Sequence, residues 1–269
     1  MKKSTCEAPW EAAPTVLAET TMSLSLPPEI LDLIVDHLHD EMATLRACCL
    51  VSGSWIPRSR IHLFDRVEFR SSGRTLESWM KTFPDPSNSP AYWTRSLCLS
   101  HSNANSVAIA DCRPWVHSFN NIADLQVAAV GYDQDLISLT QLHGLSPSLR
   151  SLRLFHSNAP LSEVLALIFS FPLLEDLALR SLHGTEKTDE WDAPPTSPKF
   201  TGSLDLRGSN RYVTRKLLEL PGGLHFSKIK VFCPIGDGDL ASELVSKCSD
   251  TLEFLLLEFY RRTFSTTCS

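Results

Sequence analysis

The chain has 269 residues, of which 43% are hydrophobic and 21% are charged, and its formal net charge at pH 7 is −6. This length can bury a sizeable core, and the composition is that of an ordinary globular protein rather than of a disordered chain. The negative balance lacks the basic charge with which proteins hold a phosphate backbone, so it argues against nucleic acid as a partner.

The N-terminal segment 1–23 is predicted to be a flexible tail. It carries Lys2 and Lys3 but no long apolar run, so it resembles neither a secretory signal nor a transit peptide. No stretch of about 18 apolar residues occurs in the chain, which argues against a membrane span. We therefore expect a cytoplasmic or nuclear protein without a membrane partner.

The eight cysteines are scattered, and only Cys48 and Cys49 are adjacent. None of them forms a C-x-x-C pair, so a zinc site of the usual spacing is not expected. A disulfide framework would be unusual in a chain of this length without a signal peptide. Most of the cysteines are therefore interpreted as reduced, small apolar residues of the core.

The next segment has the pattern of three short helices. The dipeptide Pro27-Pro28 suits a first helical turn, and apolar residues follow at helical spacing over about three turns. A second helix is predicted to begin after Thr44, and a third after Ser54 with Pro57 in its first turn. A unit this small has little room for a core of its own, so it gains stability from a partner.

A connecting segment, 67–92, leads to a repetitive region, 93–269. Seven stretches in this region alternate apolar with other residues, and their central residues recur at intervals of 28, 27, 25, 27, 25 and 26. The spacing within each stretch and the period resemble leucine-rich repeats. The central residues are Leu97, Leu125, Leu152, Leu177, Leu204, Ile229 and Leu255.

The alternation predicts short strands whose apolar side faces inward and is covered by the neighbouring repeats. Helices are predicted between strands at 160–171, 212–220 and 239–247, the last one capped by Asp239. The acidic, Pro-rich segment 183–199 is predicted to be an irregular surface loop. We therefore predict an α/β fold, with three helices followed by a solenoid whose curved parallel sheet has about seven short strands.

The N-terminal segment 24–66 resembles a known module. Leu26-Pro27-Pro28-Glu29-Ile30-Leu31, Cys48-Cys49-Leu50-Val51-Ser52 followed by Trp55, and Leu63-Phe64 together resemble an F-box, of the type common in fungal F-box-like proteins. The resemblance covers about a sixth of the chain.

This resemblance implies an adaptor function. F-box modules dock onto the Skp adaptor, and through it the cullin, of a Skp–cullin–F-box ubiquitin ligase, while a C-terminal repeat domain presents a protein substrate. Such a chain acts by proximity and needs no catalytic residue of its own. Spacing alone leaves open that the apolar residues only pack against the first repeat, and a leucine-rich-repeat scaffold without a ligase is the alternative. The residues that the resemblance places against the Skp adaptor are Leu26, Pro27, Ile30, Leu31, Ile34, Leu45, Leu50, Val51 and Trp55.

The outward-facing side chains of the predicted strands are candidates for substrate binding. They form a mixed basic and aromatic patch, and we hypothesise that it holds an acidic or phosphorylated segment. The alternative is a solvated face that Asp176 and Asp205 partly neutralise. The candidates are Arg153, Phe155, Arg180, Arg207, Lys230 and Phe232.

We find no local signature of catalysis. The ionisable group Asp36 to Glu41, at the end of the first helix, lacks a rigidly held third metal ligand and is interpreted as a solvated helix end. Gly236-Asp237-Gly238-Asp239 lacks the Lys and Ser or Thr of a phosphate cradle and is interpreted as a turn with a helix cap. No G-x-S-x-G occurs. We therefore predict a protein that is not an enzyme and holds neither a metal nor a cofactor.

Overall fold

The computed structural model describes residues 26–70, 75–100, 113–128, 139–182, 198–208, 210–220 and 222–260. The predicted tail 1–23 and most of the predicted loop 183–199 lie outside these residues. The described helices, in chain order α1 to α8, are Pro28–His37, Met42–Val51, Ile56–Asp65, Leu76–Thr82, Arg113–His117, Leu161–Phe169, Arg211–Leu218 and Gly238–Lys247. Single 3-10 turns lie at Gly53–Trp55, Pro86–Asn88, Pro90–Trp93, Leu139–Leu142 and Ile235–Asp237.

The described strands form one open, all-parallel sheet in which each strand pairs with the next along the chain. Its order from β1 to β8 confirms the predicted α/β class, although the prediction of about seven strands omits one. The additional strand, β1, lies largely in the predicted connecting segment. The strands are Arg66–Phe69, Ser96–Ser100, Asp124–Ala128, Ser151–Phe155, Asp176–Arg180, Ser203–Arg207, Lys228–Pro234 and Phe254–Tyr260.

The core follows from the alternation along the strands. The central residues predicted from the repeats lie opposite one another in the sheet, as Leu125 does with Leu152, and both of these side chains are fully buried. Helix α6 supplies more of the core, since Leu165, Leu167 and Ile168 are all buried. Because each strand has a short apolar side, the buried residues form one continuous cluster along the sheet.

The chain leaves three successive strands through the same backbone conformation. The φ angle is positive at His156 (50°), Ser181 (51°) and Gly208 (84°), directly after β4, β5 and β6. Each of these residues donates its N–H to a carbonyl of the next strand, so the parallel ladder continues one residue further. Only the third position carries glycine, the residue that adopts this conformation without steric cost.

The buried side chain of Asn210 joins the C-terminal ends of two of these strands, β5 and β6. The Nδ2 group of Asn210 donates to the carbonyls of Leu179 and Arg207, 3.1 Å away in both cases. Its Oδ1 accepts the N–H of Leu182 at 3.3 Å. These bonds tie the ends of β5 and β6 together and give the buried N–H of Leu182 a hydrogen-bond partner.

The structure corrects two predicted helix starts. Helix α2 begins at Met42, so Thr44 lies inside its first turn, where its hydroxyl donates to the carboxylate of Glu41. Helix α8 begins at Gly238, and Asp237 rather than Asp239 occupies its N-cap position. Both predictions began the helix at the nearest residue that suits an N-cap. In the structure each helix begins earlier, directly after the preceding turn.

The helical unit α1–α3 is joined to the sheet by an aromatic cluster. Helix α3 ends at Asp65 and runs directly into β1. Phe64 of α3 contacts Trp79 of α4 edge-on, with their ring centroids 5.9 Å apart. Trp79 also packs against Phe69 of β1 and Phe119, at centroid distances of 5.7 and 5.6 Å. The end of the helical unit is therefore continuous with the core of the sheet.

Candidate partner-binding surfaces

The helical unit, residues 26–65, exposes more large apolar side chains than it buries. Among the residues of α1 and α2, Val35, Leu45 and Cys48 are buried. The exposed large apolar residues of this unit are Leu26, Ile30, Leu33, Ile34, Met42, Leu50 and Val51. Exposed apolar residues concentrated in so small a unit make it a candidate surface for binding another molecule.

Most of the predicted docking residues lie on this apolar surface. Leu26, Pro27, Ile30, Ile34, Leu50 and Val51 are exposed, and Leu50 has 89% of its surface accessible. Leu31 and Trp55 are half-buried. Leu45 departs from the set because it is fully buried and supports the unit from within. The predicted docking residues did not include Leu33 and Met42. Leu33 lies three residues after Ile30, and this helical spacing could have placed it in the set.

A charged network fixes α1 against α3. The carboxylate of Asp36 accepts from Nε and Nη2 of Arg58, both at 2.6 Å, and His62 Nε2 lies 2.8 Å from Asp36 Oδ1. Hydrogen bonds from Arg58 and then His62 lower the pKa of Asp36 well below its ordinary value. Asp36 therefore belongs to an interhelical ion pair, which corrects the prediction of a solvated helix end.

The outward face of the sheet brings together four of the predicted substrate residues. Phe155, Arg180, Arg207 and Phe232 lie in register across β4 to β7, and we call them the Phe-Arg row. The guanidinium of Arg180 lies 4.7 Å from the ring centroid of Phe155, and that of Arg207 lies 4.6 Å from the centroid of Phe232. Stacking on a ring restricts each long side chain, so the row is preorganised.

Asp205 partly neutralises this row. Arg180 Nη2 donates to one of its carboxylate oxygens at 2.8 Å, and Arg207 Nε donates to the other at 3.0 Å. Two guanidinium groups thus share one carboxylate, which leaves one net positive charge. The predicted neutralising residue Asp176 instead accepts two hydrogen bonds from Ser203.

The remaining two predicted substrate residues lie two positions before Phe155 and Phe232 on the same strands, and therefore on the same side of the row. Arg153 on β4 faces Asp124 at 3.7 Å, a distance typical of a loose surface pair. Lys230 on β7 places its Nζ 5.9 Å from the ring centroid of Phe254. The six predicted residues therefore share one face of the sheet, with Arg153 and Lys230 on the side of the row towards the N-terminal ends of the strands.

Three features of the described residues bear on reactivity: a small cavity, the placement of possible metal ligands and the burial of thiols. A cavity between α7, α8 and the strands β6 and β7 has a volume of about 20 Å³, room for about one water molecule. Among these residues, no group of three His, Cys, Asp or Glu side chains is placed to hold a metal ion. Burial raises the pKa of the thiols of Cys98, Cys233 and Cys248, which disfavours their nucleophilic thiolate form.

In the part of the chain that the structure describes, no helix is both long and apolar enough to cross a membrane. No family model matches this chain, and no curated protein is similar enough to count as a match.

Proposed function

We propose that this chain is a substrate-recruiting adaptor of a Skp–cullin–F-box ubiquitin ligase. In this proposal the helical unit is an F-box that docks onto the Skp adaptor, and the following strands and helices are leucine-rich repeats that present a protein substrate. The single observation that carries it is the exposed apolar surface of the helical unit, which includes six of the nine predicted docking residues.

The energetics of this surface favour association. Burying one large apolar side chain stabilises a complex by about 1.5–3 kcal/mol. Association costs at least about 4 kcal/mol in lost freedom, so several well-packed anchors are needed to offset it. Leu50 and Ile30 are suitable anchors because the helical unit leaves both exposed. The ion pair between Asp36 and Arg58 holds α1, the helix that carries Ile30, against α3.

The outward face of the sheet supports the second half of the proposal. Arginine and aromatic residues are enriched among the residues that dominate binding energy at protein interfaces. The Phe-Arg row combines both types in a preorganised arrangement with one net positive charge. It would therefore bind a substrate segment through apolar contacts together with one acidic or phosphorylated side chain.

Binding of the purified Skp adaptor to the full chain tests the docking half. The test variant is Ile30→Asp/Leu50→Asp, and the matched control is Leu173→Asp/Ile235→Asp, since Leu173 and Ile235 are exposed apolar residues outside the helical unit. Both variants lose two exposed apolar side chains and gain two negative charges. We expect the test variant to bind about 100-fold more weakly or worse, and the control to stay within about threefold of the wild type.

Two outcomes would contradict the docking half. A folded wild-type chain that fails to bind the Skp adaptor favours the alternative, a repeat scaffold without ligase association. Equal loss of Skp adaptor binding in the test and control variants would mean that the helical unit contributes no specific binding surface for the adaptor.

Charge reversal tests the substrate half. Arg180→Glu/Arg207→Glu removes both guanidinium groups, whereas Arg211→Glu/Arg215→Glu makes the same charge change on exposed positions of α7. We expect only the first variant to lose proteins that co-purify with the full chain from proteasome-inhibited cells. Unchanged capture by a folded Arg180→Glu/Arg207→Glu variant would exclude the row as the substrate surface.

A further inference from the structure

The last described strand, β8, has an open edge. Its seven residues, Phe254–Tyr260, pair with β7 along their whole length. Among the described residues, no strand pairs with the opposite edge of β8. A strand edge about 23 Å long therefore presents its backbone donors and acceptors to another strand.

Both faces of this strand are apolar and exposed. Phe254, Leu255, Phe259 and Tyr260 keep between 42% and 46% of their surface accessible. Leu255 occupies the inward row in which the equivalent Leu152 is fully buried. Edge strands of monomeric proteins are commonly protected by charged residues or proline, but β8 carries a single charge, on Glu258.

We propose that the edge of β8 pairs with β8 of a second copy of this chain. The two strands would run antiparallel about a twofold axis through Leu257, and the two sheets would join into one. A closed twofold interface requires a self-complementary surface, and β8 provides one. Around this axis Leu257 meets its own copy and every residue of β8 is paired.

The chemistry of the opposed residues fits this register. Phe254 lies opposite Tyr260 of the other copy at both ends of the interface, and aromatic pairs stabilise antiparallel strands. Leu255 lies opposite Phe259, and Glu258 lies opposite Leu256. No like charges are opposed, because the only charged residue of the strand faces a leucine.

Pairing of β8 with the other end of the sheet is less suitable. The edge strand there is β1, which has four residues, so it would leave almost half of β8 unpaired. Helix α3 also runs directly into β1 and packs beside it. In addition, that arrangement would be head-to-tail, so it would close only as a ring of several copies and not as a dimer.

Opposite charges at one position test the register. Leu256 faces Glu258 of the other copy, so Leu256→Glu opposes two carboxylates twice per dimer, whereas Leu256→Lys creates two ion pairs. Sedimentation equilibrium of the full chain at low ionic strength measures the dissociation constant of the dimer. We expect Leu256→Glu to raise it about tenfold and Leu256→Lys to leave it unchanged or lower it.

A mixture of two variants gives a second readout. Leu256→Glu with Glu258→Lys should form heterodimers, because each Glu at position 256 then faces a Lys at position 258. Leu173→Glu and Leu173→Lys, at an exposed position away from β8, should leave the dissociation constant unchanged. A wild-type chain that stays monomeric at every concentration overturns the proposal. A dimer that the Glu and Lys variants weaken equally also overturns it, since a register through Leu257 must distinguish them.

Discussion

Asp36→Asn should open the helical unit without altering its apolar surface. The substitution keeps the shape of the side chain but removes the charge that accepts two hydrogen bonds from Arg58 and one contact from His62. A bidentate arginine–carboxylate pair that is about one-third exposed stabilises by about 1–2 kcal/mol, and the third contact adds about 0.5–1 kcal/mol. We therefore expect the free energy of opening of α1 from α3 to fall by about 1.5–3 kcal/mol.

The effect should depend on pH with a defined sign. The pKa of Asp36 is lowered in the folded chain, so its stabilisation is complete above the ordinary value of 3.8. It is lost as the pH falls below that value towards the folded pKa, by about 1.4 kcal/mol per pH unit. The difference in free energy of unfolding between wild type and Asp36→Asn should narrow by about 1 kcal/mol between pH 5 and pH 3.

Two assays check these expectations. Hydrogen exchange of α1 and α3 amides near neutral pH measures opening of the helical unit, and a double-mutant cycle with Arg58→Met isolates the pair. Urea unfolding followed by circular dichroism at pH 7, 5 and 3 measures the pH dependence. Additive effects of Asp36→Asn and Arg58→Met on the free energy of opening would refute the ion pair. If the difference in free energy of unfolding between wild type and Asp36→Asn is the same at pH 3 as at pH 5, the lowered pKa of Asp36 is refuted.

Three further predictions follow from the packing, and each is checked by urea unfolding at pH 7. Asn210→Ala should lower the free energy of unfolding by about 2–4 kcal/mol because it leaves the buried N–H of Leu182 without its hydrogen bond and removes two further bonds, to the carbonyls of Leu179 and Arg207; a loss below about 0.5 kcal/mol would contradict this. Gly208→Ala should cost about 1–2 kcal/mol, since its φ is 84° and the added Cβ would lie 3.1 Å from Ser181 Oγ, whereas Ser181→Gly relieves a positive φ and should stabilise slightly. Leu45→Ala should cost about 2–4 kcal/mol because its side chain is fully buried, while Leu50→Ala should stay within about 0.5 kcal/mol; equal losses would mean that both are buried.

The sheet was predictable because its pattern is repeated. Each central residue, such as Leu152 or Leu177, lies in a short alternation that is ambiguous by itself. Seven such alternations at a nearly constant interval remove the ambiguity, because parallel strands at a regular spacing must place equivalent residues side by side. The observed register, with Leu152 opposite Leu177, agrees with this reasoning.

The sequence did not predict strand β1 and helix α4, because no repeated pattern supports either element. Strand β1 has four residues and follows α3 without a turn, so no boundary residue marks it. Helix α4 did carry a signal, since Thr75 and Ser78 form reciprocal hydrogen bonds of a capping box. Its apolar residues contribute to the aromatic cluster, which only the tertiary structure brings together.

The candidate surfaces were predictable in their residues but not in their electrostatics. The exposed leucines of the helical unit follow from helical spacing and from the small size of the unit. The pairing of Asp36 with Arg58 spans 22 residues, and no local rule connects them. The sequence named Asp176 and Asp205 together as neutralising residues, but only the strand register shows that Asp205 pairs with both Arg180 and Arg207. Asp176 instead binds Ser203.

The connection between the helical unit and the sheet bears on the proposed function. An adaptor that acts by proximity must hold its two binding surfaces at a fixed separation, because a flexible joint lowers the effective concentration of the substrate at the ligase. Here α3 enters β1 without a linker, and Phe64 packs into the same aromatic cluster as Phe69 of the first strand. Loosening the joint would require breaking part of the core. A substitution such as Phe64→Ala should therefore weaken substrate modification more than it weakens either binding event, which separates positioning from affinity.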